Sequence, residues 1–198
     1  MMKLLTSATS PYGRKLRILA HELALAVESV ETAPMEDGAD LLAVNPLGKV
    51  PALVLGDGTA IVDSRVIAGY LLAMAPGNPL LVAEGPDHWA GLTTEAIADG
   101  ILDAAINLRF NAGQGVTNGT WVERQYRAID RAVLGLAERV GDKAGGGFGW
   151  GEICTLVAVE YLDLRWPAID WRTAAPVLAA LQAQYTDRAS MAATRPPQ

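Results

Sequence analysis

The chain is 198 residues long, 51% hydrophobic and 19% charged, a composition that builds a large core and suits one full domain or two small ones. Its 16 lysines and arginines against 22 aspartates and glutamates leave a formal net charge of −6, which argues against nucleic acid and anionic membrane as partners. One cysteine, Cys154, and two histidines, His21 and His88, cannot make an internal disulfide or a usual zinc site, and no apolar run reaches the roughly 18 residues of a membrane span, so the expectation is a cytoplasmic protein without metal.

Residues 3–6 form a short apolar segment that reads as a strand. From Pro11 the period changes: Leu16, Leu19, Ala20 and Leu23 recur at helical spacing, with Arg14 and Arg17 off the apolar stripe. Residues 27–32 alternate as a half-buried strand does, and a polar stretch over 35–40 leads to Asn45-Pro46-Leu47-Gly48. Segments 51–55 and 59–62 flank Gly56-Asp57-Gly58 as a hairpin, and 64–75 is helical again. The order β-α-β-(α)-β-β-α is compact enough for a domain of its own, placed at residues 1–76. A linker bearing prolines and glycines follows over 77–87. Residues 88–198 are expected to be an all-helical bundle, with helices over 88–112, 121–140, 152–165 and 174–188. Charge divides as −2 over residues 1–80 and −4 over 81–198. In the first half Arg14, Lys15, Arg17, Lys49 and Arg65 are expected to flank the loops between elements and form a locally positive mouth for a small anion.

Several motif matches fail on context. Gly147-Phe148-Gly149-Trp150-Gly151 resembles a nucleotide-binding loop, yet no strand precedes it and helices surround it. Gly48-Lys49 lacks the earlier glycine and the following hydroxyl of a P-loop. Three segments remain: Thr9-Ser10-Pro11-Tyr12, Asn45-Pro46-Leu47-Gly48-Lys49-Val50-Pro51, and Asp63-Ser64-Arg65. Ser10 before Pro11 is an N-cap at the positive end of a helix. Val50-Pro51 is a candidate cis bond that would free the Val50 backbone for an extended ligand. Asp63-Ser64 puts N–H groups, a hydroxyl and a carboxylate at a second helix start, suited to a ligand's carboxylate and amine. Together they read a molecule with an amino end, a carboxylate and a peptide backbone.

At these residues the sequence resembles the glutathione transferase superfamily, in particular its bacterial serine- or cysteine-type members. SPYGRKLRILAHEL resembles the family's first helix, NPLGKVPALV its cis-proline loop, and DSRVIAGYL the segment that binds the γ-glutamyl group. ADGILDAA, WVERQYRAIDRAV, YLDLRWPAIDWR and the closing ATRPP resemble the helical domain of one bacterial subgroup. The resemblance implies a thioredoxin-like first domain, glutathione as co-substrate, a small hydrophobic electrophile, a homodimer and a role of the detoxification kind. It implies that Ser10 meets the glutathione sulfur, with Thr9 as the second choice, and that Tyr12 lines the pocket. It further implies that Lys49 neutralises the glycyl carboxylate, that Val50 pairs with the cysteinyl backbone ahead of cis Pro51, and that Asp63 and Ser64 hold the γ-glutamyl end. Two stretches depart from the family pattern. Gly149 stands where a capping hydroxyl is usual, with Glu152 still available at the third helical position. Residues 107–120 are richer in glycine than the subgroup's connection between two long helices.

A free thiol ionises near pH 8.5, so catalysis has to lower that value, and a serine does so by donating a hydrogen bond to the anion. A non-catalytic glutathione-binding or adaptor protein of the same fold is the alternative. A thiol oxidoreductase is disfavoured, because a hydroxyl at position 10 cannot join a disulfide. Asp99 and Asp103, four residues apart, are expected on a solvated acidic helix face, and Cys154 is expected to be a small buried hydrophobe.

Overall fold

A computed structural model of the chain describes residues 1–81, 84–141 and 147–197. In chain order the elements are β1 (Met2–Thr6), α1 (Pro11–Glu22), β2 (Val27–Glu31), α2 (Ala39–Val44), β3 (Ala52–Val54), β4 (Ala60–Ile61), α3 (Ser64–Ala73), α4 (Pro86–Gly113), α5 (Thr120–Gly141), α6 (Trp150–Arg165), α7 (Trp171–Ala174), α8 (Pro176–Tyr185) and α9 (Ala189–Ala193). They form two compact units, one of Met1–Asn78 with Asp187–Gln198, the other Pro79–Thr186. Part of the expected linker, residues 82 and 83, lies outside the described residues.

In the first unit four strands make one mixed sheet in the order β2-β1-β3-β4. β1 and β2 are parallel, joined through α1, while β3 is antiparallel to both β1 and β4. Successive residues of a strand point to opposite faces, so the burial of both Leu4 and Leu5 means that both faces of the sheet are covered. Leu5 and Ala52 pack with Leu41 of α2, joined by Val44, Val50, Val54 and Val62. Leu4 and Leu53 face the other way, the side taken by α1 and α3, whose Leu16, Leu19, Ile67 and Leu71 are fully buried. The hairpin closes through Leu55 N–H to Thr59 O at 2.8 Å, with Gly58 at φ +89°, a conformation glycine adopts without penalty. Asn78 finishes α3 by donating to the carbonyls of Ala75, at 2.7 Å, and Leu72, at 3.3 Å.

α1 is buried more completely than its apolar stripe implies. Arg14 is 4% exposed and Lys15 0%, so for these two the expectation of cations flanking loops is corrected; of the five, Lys49 and Arg65 are exposed and Arg17 is half-buried. Residues 187–197, which the sequence reading assigns to the helical half, pack with the first unit, where α9 lies against α1. Glu22, the last residue of α1, accepts two bonds from the Arg188 guanidinium at 2.7 and 2.6 Å, and one from the Ser190 hydroxyl.

In the second unit α4 packs against α5 and α6. α6 is buried almost all round, from Trp150 through Ile153, Cys154, Leu156 and Val157 to Leu162, as the central helix of a bundle must be. Gly149 caps it, and the Glu152 carboxylate accepts the Gly149 N–H at 3.0 Å, the half of a capping box that needs no hydroxyl. The absence of a side chain there has a steric reason: a Cβ on Gly149 would lie 3.0 Å from the carbonyl oxygen of Leu80, which accepts the Trp150 N–H at 2.7 Å. On α4, Asp99 is 3% exposed while Asp103 is exposed, so the solvated acidic face is corrected to Asp103 alone; α4 turns the Asp99 side inward with Glu95, which accepts the Trp150 indole N–H at 2.9 Å. The expected final helix over 174–188 is broken. Pro176 holds Ala175 out of the helical region, φ −139° and ψ 68°, and starts α8 afresh, and the chain turns again before α9.

Two outcomes follow from this packing. The Arg188 hydrogen bonds hold the Glu22 carboxyl below the usual carboxylate range, burial pulls it the other way, and Ser190 adds to the lowering. A carboxyl lowered on folding stabilises fully above its unfolded value of about 4.3, and that contribution is lost as pH falls through the folded value. Glu22→Gln is therefore expected to cost about 1 kcal/mol at pH 7, a figure kept small by the exposure of Arg188, and to flatten the acid loss of stability below about pH 4.3; urea titrations at neutral and acid pH measure both, and an unchanged acid slope refutes the clasp. Gly13 packs so tightly on β1 that a Cβ there would lie 2.8 Å from Thr6 Cβ and closer still to Thr6 Oγ1. Gly13→Ala should lower stability by about 1–3 kcal/mol by overpacking, read from the denaturation midpoint.

Candidate functional site

The sheet register brings three chain segments to one end of the strands. Leu5, near the end of β1, lies opposite Ala52, the first residue of β3, and Ile61, the last of β4, lies opposite Leu53. The exit of β1 into α1, the entry to β3 and the exit of β4 into α3 therefore share that end. Both helices start there, so two sets of unpaired N–H groups and two positive dipole ends face one region, beside the exposed ammonium-bearing Lys49. Thr9, Ser10, Tyr12, Lys49, Val50, Pro51, Asp63 and Ser64 all belong to these three segments.

Ser10 is the N-cap of α1. Its backbone is extended, φ −71° and ψ 116°, Pro11 takes the first helical position, and the Ser10 Oγ accepts the Gly13 N–H at 3.1 Å. The residue is 8% exposed. A serine hydroxyl has one proton and two lone pairs, so accepting from Gly13 leaves the proton for another acceptor. Gly13 fixes this arrangement, since its contact with Thr6 sets the first turn of α1 directly on the end of β1. Thr9 stands half-buried in the preceding turn. Tyr12 is half-buried, its ring 6.0 Å from the Lys15 Nζ. The turn is held from behind: Ala8 N–H donates to Glu31 Oε1 at 3.1 Å, and the Arg17 guanidinium donates at longer range to the carbonyls of Ala8 and Thr194, at 3.5 and 3.4 Å. Burial lowers the Arg17 pKa from its ordinary value; Arg14 adds to this and Glu31 opposes it.

The second segment is organised by Asn45, to which the sequence reading gives no role of its own. Buried at the end of α2, it accepts the Leu47 N–H on its side-chain oxygen at 3.1 Å and donates from Nδ2 to the Lys49 carbonyl at 2.7 Å, while its backbone carbonyl accepts Gly48 N–H at 2.9 Å. Gly48 adopts φ +61°, which the turn requires. The detectable signal was an asparagine two residues before the turn backbone it bonds, the usual Asx-turn chemistry. Beyond this loop the Val50–Pro51 peptide is cis, as the sequence suggested. The Val50 N–H and carbonyl have no hydrogen-bonding partner among the described residues, while its side chain packs into the Leu5–Leu41–Ala52 cluster.

In the third segment Asp63 caps α3, its Oδ1 accepting the Arg65 N–H at 3.0 Å, so one carboxylate oxygen is committed to the helix and the other remains open. The Val62–Asp63 peptide is also cis. Ser64, the first residue of α3, is buried, whereas Asp63 is exposed. Among the described residues no group of three or more His, Cys, Asp or Glu side chains is arranged to hold a metal ion, and no helix is long and apolar enough to cross a membrane.

Comparison with known proteins agrees with this architecture. Two family models match the chain, "Glutathione S-transferase, N-terminal domain" over residues 4–79 and "Glutathione S-transferase, C-terminal domain" over residues 119–181. The uncharacterized GST-like protein YibF of Escherichia coli K12 is 32% identical, with 99% of each chain covered. A glutathione transferase family member from Pseudomonas fluorescens Pf-5, solved with bound glutathione, is 37% identical with a TM-score of 0.89 and 100% of both chains covered. A glutathione S-transferase from Methylobacterium radiotolerans, solved in complex with glutathione sulfonate, is 31% identical with a TM-score of 0.93, covering 100% of this chain and 95% of the other. With relatives matched end to end and a thioredoxin-like sheet leading into a helical unit, this chain belongs to the glutathione S-transferase family.

Proposed function

We propose that the protein binds reduced glutathione at the shared end of the strands and transfers it to a small hydrophobic electrophile. The observation that carries the reading is the geometry of Ser10, whose hydroxyl caps α1 through a lone pair and keeps its proton for a sulfur anion. The two relatives solved with glutathione and glutathione sulfonate support the choice of ligand. In this reading Lys49 neutralises the glycyl carboxylate, and the Val50 N–H and carbonyl, ahead of cis Pro51, pair with the cysteinyl backbone. Ser64 and the α3 N-terminus take the γ-glutamyl carboxylate, the open oxygen of Asp63 takes its amine, and Tyr12 forms part of the wall. Thr9 is the second candidate for the sulfur.

At pH 7 a thiol of pKa about 8.5 is roughly 3% ionised. Bringing it to about 6.5 needs roughly 2.7 kcal/mol of preferential stabilisation of the anion, which one charge-assisted hydrogen bond of about 1.5–3 kcal/mol and a helix terminus of about 0.3–1 kcal/mol together supply. Ser10 is not a base, since its hydroxyl is far less acidic than the thiol; the thiol proton leaves to water. The thiolate then attacks an electrophilic carbon, the new C–S bond forms with the sulfur's electron pair, and the leaving group departs with the pair of the broken bond. A free glutathione thiol calls for a reducing, cytoplasmic setting, and a homodimer, the assembly implied by the resemblance, is tested by light scattering.

The two serines are expected to separate chemistry from binding. Ser10→Ala should lower turnover with chlorodinitrobenzene at pH 7 by about 10–100-fold, with little change in glutathione affinity, and move the rising limb of the pH–rate profile towards the free thiol value near 8.5. Ser64→Ala should raise the KM for glutathione and leave that limb in place. Thr9→Ala reproducing the Ser10 pattern would move the role one residue back, and binding without turnover across a panel of electrophiles would leave a glutathione-binding protein. The absence of any calorimetric heat with millimolar glutathione overturns the proposal. Asn45→Ala, which frees the loop bearing Lys49 and Val50, should weaken glutathione binding several-fold at unchanged position of the pH limb, measured by the same titrations.

A further inference from the structure

The helical unit holds a cavity of about 380 Å³ that none of the glutathione roles above uses. It is formed by one face of α5, where Tyr126, Asp130 and Leu134 follow each other at one-turn intervals, by Trp166 and Asp170 of the segment between α6 and α7, and by Trp171 at the start of α7. Its volume lies in the range of small-molecule sites, which are mostly apolar with a few placed polar groups.

The aromatic walls are fixed by bonds directed away from the cavity's chemistry. The Trp166 indole N–H donates to the Ala105 carbonyl at 3.1 Å and the Trp171 indole N–H to Asp163 Oδ1 at 2.8 Å, so both polar atoms of these rings are already satisfied. Tyr126 meets Trp166 edge to face, with centroids 6.0 Å apart at 86°. The polar groups of the wall have the opposite character. Asp130 is exposed and has no hydrogen bond or ion pair among the described residues. Asp170 accepts the Thr173 N–H on Oδ1 at 3.2 Å, and the Thr173 side chain and backbone together hold its carboxyl below the usual range. Arg172 stacks 4.2 Å from the Trp171 ring and its charge lowers the Asp170 carboxyl, but its guanidinium is bonded by Asp163 through two bonds of 2.7 Å and by Gln182 at 2.9 Å, so the carboxylate of the wall without a cation among the described residues is Asp130. On α5, Arg127 is paired with Glu123 at 3.6 Å, and Arg131 lies one residue, about 100° of helix rotation, from Asp130 and is not part of the wall.

We infer that this cavity is a second binding site, for a small organic ammonium ion with an apolar or aromatic body. The cation pairs with Asp130 and Asp170, and the body lies against Tyr126 and Trp166, where ring faces add an attraction for positive charge. An anion of the same shape meets two carboxylates beside an arginine already bonded to Asp163 and Gln182, and a neutral analogue gains only the apolar contact. The site uses no residue assigned to glutathione, so it stands whether or not the transferase reading does.

The probe is 2-phenylethylamine, compared by calorimetry with 3-phenylpropionate and 2-phenylethanol on the whole protein. The amine is expected to bind with a Kd on the order of 1 mM, as its few heavy atoms allow, and the anion and alcohol at least five-fold more weakly. Asp130→Asn, a change at an exposed position, should weaken the amine at least five-fold while leaving glutathione binding and the circular dichroism spectrum unchanged. Asp170→Asn, which keeps a capping side chain, should do the same. Saturating glutathione should not displace the amine. Equal binding of amine, anion and alcohol, indifference of the amine to both substitutions, displacement by glutathione, or absence of saturable heat up to about ten times the expected Kd each overturns the site.

Discussion

The junction of β1 with α1 is set by a contact that leaves no room for a side chain. Gly13 lies on Thr6 so closely that even a methyl group would overlap its hydroxyl. That contact lets the first turn of α1 sit on the end of the strand, and the same residue's N–H is the one Ser10 caps. Backbone approach, helix cap and candidate sulfur-binding hydroxyl are thus one local structure. A bulkier residue at position 13 would move the cap and the hydroxyl together, so packing at this point and chemistry at this point cannot be varied separately.

The other two segments are held by equally local means. Asn45 bonds forward to Leu47 and Lys49 and fixes the chain as it enters the Val50–Pro51 peptide. Asp63 closes the first turn of α3 with one oxygen and keeps the other. In each case a short polar side chain satisfies backbone groups that would otherwise need water, and what remains unsatisfied points to the common end of the strands. The ligand groups proposed there are the partners these leftover donors and acceptors lack.

Much of this could be read from residue order. Strand and helix periods gave the elements from β1 to α3 in their true order, and Ser10, Val50-Pro51 and Asp63 declared their local geometry because caps and turns depend on neighbours one to three positions away. What escaped depends on distant partners. Arg14 sits off the apolar stripe of α1 and is nonetheless buried, and α9 returns from more than 160 residues away to pack on the same helix. Asp99 and Asp103 look alike at helical spacing, and only packing distinguishes the buried one. Gly149 reads as a poor cap until the Leu80 carbonyl, 3.0 Å from where a Cβ would be, supplies its reason. Pro176 is the exception, a local signal that was visible and that periodicity overrode.

The distribution of charge gives the net −6 a different meaning from a uniform acidity. Lys15 and Arg14 are buried, so the exposed positive sources at the strand ends are the two helix termini with Lys49 and Arg65. A small anion that reaches them gains several contacts at once, whereas an extended polyanion would meet the acidic remainder of the surface. In the helical unit Arg172 is bonded by Asp163, and the carboxylates of Asp130 and Asp170 line a cavity together with aromatic rings. The two proposed sites thus differ in how their cations stand, Lys49 exposed to a ligand and Arg172 already bonded, which suits an anionic peptide at the one and an organic cation at the other.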